Sequence, residues 1–199
     1  GESQSGEDQV YNIVFNEPFT KPHTLALAAE KFEQIVEERS NGQIQVDVHY
    51  GGVLGTSRDA LEAVKVGTQT MVDAATAPIV AYEPARGVLN LPYLFSSRDQ
   101  WYGLLDGELG QDLLTMLEPH GFVGLAYLEN GIRHVTNNVR PIYEPDDLDG
   151  IKIRLMQNPV FIATFEELGA LTTTTPWAEL YSALQQNVVE AQENPVSNN

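Results

Sequence analysis

The sequence contains no cysteine, and this absence excludes several kinds of chemistry at once. Disulfide bonds, thiolate metal sites and cysteine nucleophiles all need a thiol, so none of them can form here. Basic residues are also scarce, because the chain has 11 Lys and Arg against 28 Asp and Glu and a formal net charge of −17. Nucleic acids and anionic membrane surfaces bind clustered Lys and Arg, so we expect neither as a partner.

Long apolar runs are missing as well. No run approaches the roughly 20 apolar residues of a membrane helix, so we expect no direct insertion into a membrane. Hydrophobic residues still make up 42% of the chain, which is typical of a protein with a packed core. The first nine residues, GESQSGEDQ, have no apolar side chain and predict a flexible tether. A mature secreted protein whose signal peptide has been removed, or a lipid-anchored one, would begin in this way.

The hydrophobic pattern alternates between strands and helices, and this order predicts an α/β fold. Short alternating or β-branched runs predict strands near residues 11–15, 44–48, 70–74, 122–129, 132–136, 151–155, 171–174 and 188–192. Helical spacing and capping residues predict helices near residues 24–40, 57–66, 97–105, 109–117, 159–168 and 176–186. A boundary between two lobes is predicted near residues 121–124, where glycines flank the start of a strand.

Arg154 is the side chain that most suggests binding. In the strand 151–155, alternation places the apolar residues on the core face and puts Arg154 with Lys152 on the other face. Ligands of open α/β sheets bind beyond the carboxyl ends of the strands, which is where Arg154 lies. Its planar guanidinium can bind a carboxylate with two parallel hydrogen bonds. The alternative is a surface arginine paired with one of the many acids.

Three other positions add to this pattern. Arg133 follows Gly131 beside a predicted strand and would supply a second cation for an acidic ligand. Trp177 begins a helix, where an aromatic ring could form a pocket wall and the helical N–H groups favour an anion. Asn194 ends the last strand and offers both a donor and an acceptor. A paired surface cation, a core tryptophan and a plain turn are the respective alternatives.

No catalytic or metal-binding motif is visible. The glycines of residues 51–55 lack both the dinucleotide spacing and a P-loop lysine, and the acids of residues 146–150 lack the pattern of a calcium loop. The four histidines have no metal-ligand spacing, and no serine lies in a nucleophile elbow. We therefore expect no catalytic residue, no metal and no cofactor, and we expect that the protein is not an enzyme.

Several motifs along residues 10–195 occur in an order that resembles the DctP-like substrate-binding proteins of TRAP transporters, the tripartite ATP-independent systems. They are NGQIQVDVHYGGVLG, LPYLF, GIRHVTN, LDGIKIRLMQNP and ELGALTTTTPWAELYSALQQNVVEAQENP. The resemblance implies a two-lobe periplasmic-binding-protein-like fold in which each lobe is a mixed β-sheet flanked by helices. It further implies a tether of residues 1–9, a lobe 1 of residues 10–122 and a lobe 2 of residues 123–199, incomplete because the chain resembles a C-terminally truncated member.

The same resemblance implies roles for individual residues. Arg154 matches the family's main carboxylate-binding arginine and Arg133 matches a second one, while Asn194 matches an asparagine that helps to bind the carboxylate. The other expected ligand contacts lie in the aromatic wall, in the turn after Arg154 and in lobe 1: Trp177, Gln157, Phe19, His23 and Thr76.

The resemblance thus implies an extracytoplasmic solute-binding protein that is either free in the periplasm or lipid-anchored. It would capture a small organic carboxylate by arginine pairing and lobe closure and deliver it to TRAP membrane subunits. C4-dicarboxylates, sugar acids such as uronates, and 2-oxo or 2-hydroxy acids all fit. Two other classes stay open. An α/β enzyme acting on a carboxylate predicts turnover and a titratable group beside Arg154, and a ligand-sensing ectodomain predicts a transmembrane segment in the complete gene.

Overall fold

The computed structural model describes residues 9–198, and they form two compact units, one up to Asp73 and one from Ala74 onward. Within this described range no helix combines the length and the apolar character needed to cross a membrane. The predicted tether, residues 1–9, lies outside the described residues except for its last one. The predicted lobe boundary at residues 122 and 123 falls inside the second unit, so the division into lobes stays a prediction.

The first unit is a three-stranded parallel sheet with two helices. Its elements in chain order are β1 (Tyr11–Asn16), α1 (Thr24–Arg39), β2 (Ile44–His49), α2 (Ser57–Val66) and β3 (Met71–Val72). The strands lie in the order β2-β1-β3, and both neighbours run parallel to β1. Phe15, Ala29 and Val46 are buried together between the sheet and α1. The predicted alternation of strands and helices in this part of the chain is confirmed.

Local capping signals determine where α2 begins and ends. The hydroxyl of Thr56 accepts a hydrogen bond from the backbone N–H of Asp59, and the Asp59 carboxylate accepts one from the N–H of Thr56 at 3.0 Å. This reciprocal capping box satisfies two N–H groups that the first turn leaves unpaired. Gly67 ends the helix in the left-handed conformation with φ of 78°. The bounds of α2 are therefore those that the sequence predicts.

The described part of the second unit contains a four-stranded mixed sheet and five α-helices. The helices are α3 (Thr76–Ile79), α4 (Arg98–Leu105), α5 (Glu108–Thr115), α6 (Pro159–Glu167) and α7 (Trp177–Gln185). The strands are β4 (Arg133–Asn137), β5 (Lys152–Leu155), β6 (Leu171–Thr174) and β7 (Ala191–Pro195). They lie in the order β4-β7-β5-β6, with β5 parallel to both of its neighbours and β4 antiparallel to β7.

The strand β5 carries the core of this sheet. Ile151, Ile153 and Leu155 are buried on one face, where they pack with Ala170 and Ala191. Burying an aliphatic side chain of this size contributes about 1.5–3 kcal/mol, so this row anchors the strand. The predicted alternation of β5 is confirmed. The side chains of Lys152 and Arg154, which lie between these apolar residues, therefore point to the opposite face of the sheet.

Two of the predicted strands differ from the structure. Residues 122–129 form no strand in the described chain, because a strand requires a hydrogen-bonded neighbour, which an apolar run alone does not supply. The last strand occupies residues 191–195 and not 188–192. The backbone N–H of Val188 bonds to the carbonyl of Ala183 at 2.9 Å, so this residue completes the turn that ends α7 before the chain can join the sheet.

Candidate functional site

One edge of the second unit's sheet collects the predicted binding residues. Since β5, β6 and β7 are parallel, their carboxyl ends lie at the same edge. The antiparallel strand β4 begins at this edge, and its first residue, Arg133, pairs in register with Pro195, the last residue of β7. Arg154 lies near the end of β5, beside Gln192 of β7. Two arginines and Asn194 therefore come from three neighbouring strands.

Arg154 is a buried cation that lacks a full set of partners. The residue is 2% exposed, so it is not a surface arginine. Its Nε donates a hydrogen bond to the carbonyl of Thr175 at 2.8 Å, whereas Nη1 has no hydrogen-bond partner among the described residues. Burial lowers the pKa of Arg154 to about 10, the nearby Glu193 carboxylate opposes this shift, and the Arg133 guanidinium adds to it. An unpaired buried donor is costly, and a carboxylate oxygen would satisfy it.

Arg133 is held by an acid that the sequence did not single out. Its Nε and Nη2 donate to the two carboxylate oxygens of Glu193, with Nη2 at 2.9 Å from Oε1. Nη2 also donates to the Glu193 carbonyl at 2.8 Å and to Asn194 Oδ1 at 3.0 Å. The guanidinium carbon lies 5.8 Å from the ring centre of Phe161. This cation is thus engaged by a bidentate carboxylate from its own fold.

Asn194 is fixed within a short chain of hydrogen bonds. Its Oδ1 accepts from Arg133, and its Nδ2 donates to Gln192 Oε1 at 2.6 Å. The Gln192 amide in turn donates to the hydroxyl of Thr136 at 2.5 Å. Gln192 and Asn194 are two residues apart on β7 and therefore share a face of the sheet. These hydrogen bonds fix the orientation of the Asn194 amide, so its Oδ1 accepts from Arg133 while its Nδ2 donates to Gln192.

Gln157 and Trp177 lie in the segments that follow β5 and β6. Gln157 is exposed and immediately precedes Asn158, whose side chain caps α6 by accepting from the N–H groups of Val160 and Phe161. Trp177 is the first residue of α7 and is 37% exposed, so it is not a fully buried core tryptophan. Both positions follow strands whose carboxyl ends form the edge described above.

Thr76 is connected to the start of α6 through two buried asparagines. Its hydroxyl accepts a hydrogen bond from Asn90 Nδ2 at 2.9 Å. Asn90 Oδ1 accepts from Asn158 Nδ2 at 3.0 Å, and the same Nδ2 lies 3.1 Å from the carbonyl of Ala77. Asn158 is completely buried. The sequence identifies Asn158 as a helix cap, but the residues it contacts are about 70–80 positions away and leave no local signal.

The remaining two predicted contacts lie together in the first unit. The rings of Phe19 and His23 stack with centroids 3.9 Å apart and an angle of 11° between their planes. His23 Nδ1 accepts a hydrogen bond from the N–H of Leu25 at 3.2 Å and so caps α1. The N–H of Phe19 donates to Glu17 Oε1 at 2.9 Å, which fixes the segment that carries both rings.

Glu17 and Asp73 form a buried acid pair that the sequence analysis did not identify. They directly follow β1 and β3, and Glu17 is completely buried. Burial and then the Asp73 carboxylate raise the pKa of Glu17 to about 8, and burial also raises the pKa of Asp73. With a pKa raised to about 8, the Glu17 carboxyl carries a proton at neutral pH. Residues 9–198 contain no group of three or more His, Asp or Glu that could hold a metal ion.

Comparisons with known proteins identify relatives of this chain. Residues 15–199 match the model of the DctP family, described as bacterial extracellular solute-binding protein, family 7. A solute-binding protein of Verminephrobacter eiseniae is 40% identical over 86% of this chain and 51% of its own length. The chain thus spans about half the length of this curated relative.

Two solved structures have the same fold. The sugar acid binding protein DctPAm of Advenella mimigardefordensis, in complex with galactonate, gives a TM-score of 0.92 at 35% identity and covers 96% of this chain and 61% of its own. A TRAP periplasmic solute-binding protein of Sulfurospirillum deleyianum with bound succinate gives a TM-score of 0.91 at 33% identity, with coverages of 96% and 61%. Both are binding proteins by name, which agrees with the prediction from sequence that the protein is not an enzyme. The predicted α/β class and family resemblance are confirmed, and the chain belongs to the DctP family of bacterial extracellular solute-binding proteins.

Proposed function

We propose that this protein captures a small organic carboxylate outside the cytoplasm and delivers it to the membrane subunits of a TRAP transporter. The observation that carries the proposal is the environment of Arg154. A guanidinium that is 2% exposed, that stays protonated at neutral pH and that has an unpaired Nη1 among the described residues needs an anionic acceptor. A carboxylate is the acceptor whose geometry fits a planar guanidinium.

The acidity of the protein does not oppose this binding. A net charge of −17 repels anions at long range, but ions screen charges beyond about 8 Å at physiological ionic strength. At the sheet edge, Glu193 pairs with Arg133, and the guanidinium of Arg154 keeps an unpaired Nη1 among the described residues. A hydrogen bond that involves a charged group contributes about 1.5–3 kcal/mol, so two such bonds outweigh the screened repulsion.

The relatives support the same ligand class. DctPAm binds galactonate and the Sulfurospirillum protein binds succinate, and each ligand carries a carboxylate on a small carbon chain. We infer that the ligand is a C4-dicarboxylate or a sugar acid such as a uronate. The residues proposed to contact it are Arg154, Arg133, Asn194, Trp177, Gln157, Thr76, Phe19 and His23. Closure of two lobes over the ligand and a lipid anchor on the protein are further parts of the proposal.

Calorimetric titration of an Arg154→Ala variant tests the proposal. Loss of two charge-assisted hydrogen bonds is expected to cost about 3–6 kcal/mol, which lowers carboxylate affinity at least about 100-fold. A thermal-shift screen of organic acids would first select the titrated ligand. Far-ultraviolet circular dichroism should show that the variant is folded.

Arg140→Ala is the matched control, because it removes the same charge from an exposed arginine. Arg140 follows the end of β4 that is remote from Arg133, and its guanidinium bonds to backbone carbonyls of residues 147 and 149. The control should bind the acid as the unmodified protein does. Undiminished affinity in folded Arg154→Ala would refute the assignment.

A further inference from the structure

The sequence contains two Asn-Gly pairs, Asn41-Gly42 and Asn130-Gly131. In such a pair the backbone nitrogen of the glycine can attack the side-chain carbonyl carbon of the asparagine, because glycine has no Cβ to hinder the approach. The attack forms a C–N bond, closes a five-membered succinimide ring and releases ammonia. Water then opens the ring at either carbonyl. The net reaction consumes one water, releases one ammonia and leaves an aspartate or an isoaspartate.

The backbone nitrogen of Gly131 is in a position to react. Residues 122–132 of the second unit belong to neither a helix nor a strand. Among the described residues, the N–H of Gly131 has no hydrogen-bond acceptor. The residue has φ of 129°, a backbone conformation that side chains disfavour and glycine adopts readily. Attack by this nitrogen therefore breaks no hydrogen bond of the fold.

The side-chain amide of Asn130 is not held by its oxygen. Its Oδ1 is buried and has no hydrogen-bond partner in the described chain. The Oδ1 atoms of Asn158 and Asn194, in contrast, accept hydrogen bonds from the N–H of Val160 and from Arg133. A buried acceptor without a donor is unfavourable. Rotation of the Asn130 amide toward the Gly131 nitrogen thus costs no native hydrogen bond at this oxygen.

The other pair, Asn41-Gly42, is protected although both of its residues are exposed. The N–H of Gly42 donates to the carbonyl of Glu37 at 2.9 Å, and the N–H of Asn41 donates to the carbonyl of Glu38 at 3.2 Å. These two bonds form the Schellman motif that ends α1. The Gly42 nitrogen can attack only after its bond opens. The net strength of one such bond corresponds to a factor of about 2–13 in an equilibrium constant.

Reaction at Asn130 would change the start of β4. Gly131 lies against the end of β7, since a Cβ on Gly131 would be 3.1 Å from the Cβ of Pro195. An isoaspartate at residue 130 inserts an additional carbon into the backbone shortly before Arg133, which pairs in register with Pro195. Gly131 cannot keep its contact with Pro195 while the chain before Arg133 is longer. The first pair of the β4–β7 ladder is therefore expected to separate.

We propose that Asn130 is a site of spontaneous deamidation, and that the isoaspartate formed there separates β4 from β7 at Arg133. The reaction needs water and no enzyme, and it adds a negative charge beside a strand that begins with an arginine. The inference concerns strand pairing within the second unit, so it holds whether or not the protein binds a carboxylate.

Peptide mapping by mass spectrometry is the first test. The unmodified protein is incubated in mildly alkaline buffer, and the conversion of residues 41 and 130 is followed over time, with fragmentation that distinguishes isoaspartate from aspartate. Conversion at Asn130 should be about 2–13 times faster than at Asn41, the factor that one hydrogen bond supplies. Absence of conversion at Asn130, or an equal or faster conversion at Asn41, overturns the assignment of the site.

Hydrogen exchange of the β4 amides tests the structural consequence. In the aged unmodified protein the N–H groups at the start of β4 should exchange at least about twofold faster than in the fresh protein, because a ladder hydrogen bond is lost. An Asn130→Gln variant should show no such change on ageing, since glutamine would have to close a larger ring. Asn41→Gln is the matched control and should age as the unmodified protein does.

Each protein is compared with its own fresh sample, so a variant that folds less well cannot imitate the effect of ageing. Unchanged exchange of β4 in protein that carries isoaspartate at residue 130 overturns the proposed separation from β7. The same acceleration in aged Asn130→Gln would also overturn it, because the cause would then lie elsewhere in the chain.

Discussion

The two units of this chain both bury ionisable side chains where parallel strands end, but they treat the charge in opposite ways. In the first unit the pKa of Glu17 is raised to about 8, so its carboxyl carries a proton at neutral pH and one of the two negative charges is removed. In the second unit Arg154, with a pKa lowered to about 10, remains charged at neutral pH. A carboxyl group can discharge within the physiological range and become a neutral structural element. A guanidinium cannot, so its burial leaves a lasting requirement for an anion.

The largest expected effect follows from removal of Arg154, the buried cation of the second unit. An Arg154→Met variant should lose carboxylate binding about 100-fold or more while its free energy of unfolding rises by about 1–3 kcal/mol, because it no longer buries a charged donor that lacks a partner. Titration calorimetry and urea unfolding measure the two quantities. Lys152→Met, which removes an exposed cation from the same strand, should change neither one substantially. A variant that loses both binding and stability would show that Arg154 is structural.

A smaller effect concerns the pH dependence of the first unit. Because the pKa of Glu17 is raised from 4.5 to about 8, the folded state binds more protons than the unfolded state between these values. The contribution of Glu17 to the free energy of unfolding is therefore complete below about pH 4.5 and is lost as the pH rises through about 8. His23 and Tyr50 are the other titratable groups that interact with this pair. Urea unfolding at pH 5, 7 and 9 would measure the loss.

A Glu17→Gln variant should abolish most of this loss. Its amide can donate to Asp73 at every pH, so between pH 5 and 9 its free energy of unfolding should fall by at least about 1.4 kcal/mol less than that of the unmodified protein, the equivalent of one pKa unit. The control is Glu38→Gln, which changes an exposed acid of α1 and should follow the unmodified protein. Identical pH profiles for all three proteins would mean that folding does not raise the pKa of Glu17.

The smallest expected effect concerns the neutral groups that hold the second unit's edge. An Asn158→Ser variant keeps an oxygen to cap α6 but loses the donor that reaches Asn90 and Ala77. We expect a loss of about 1–2 kcal/mol in the free energy of unfolding, with no dependence on pH, since no charge is involved. The Asn158→Ala variant loses the cap as well and should cost about 1 kcal/mol more. If Asn158→Ser has the stability of the unmodified protein, the buried hydrogen bonds contribute nothing measurable.

Local signals made much of the fold predictable. The alternation of β5, the cap at Asn158 with Pro159 in the first turn of α6, and the capping box of α2 each act within a few residues. The same alternation put Arg154 off the core face and near the carboxyl end of its strand. Its burial could not be predicted in this way, because it depends on the strands that flank β5.

The partners of the charged residues could not be predicted because they depend on strand pairing over long distances. Glu193 lies 60 residues after Arg133, and β4 meets β7 only in the folded sheet. Asp73 reaches Glu17 because β3 pairs with β1. In a chain with 28 acids, sequence does not reveal which acid is paired. The strand predicted for residues 122–129 was wrong for a related reason, since an extended segment becomes a strand only with a neighbour.

The position of β7 has a consequence for the order of assembly. This strand follows β4, β5 and β6 along the chain but lies between β4 and β5, so these four strands cannot form their sheet until residues 191–195 have been synthesised. Until then, the edges of β4 and β5 have unpaired backbone N–H and C=O groups. Such unpaired edges favour contact with chaperones or with other nascent chains. Glu193 and Asn194 arrive on the same strand. Pairing of β4 with β7 and capture of Arg133 by Glu193 therefore occur in one step.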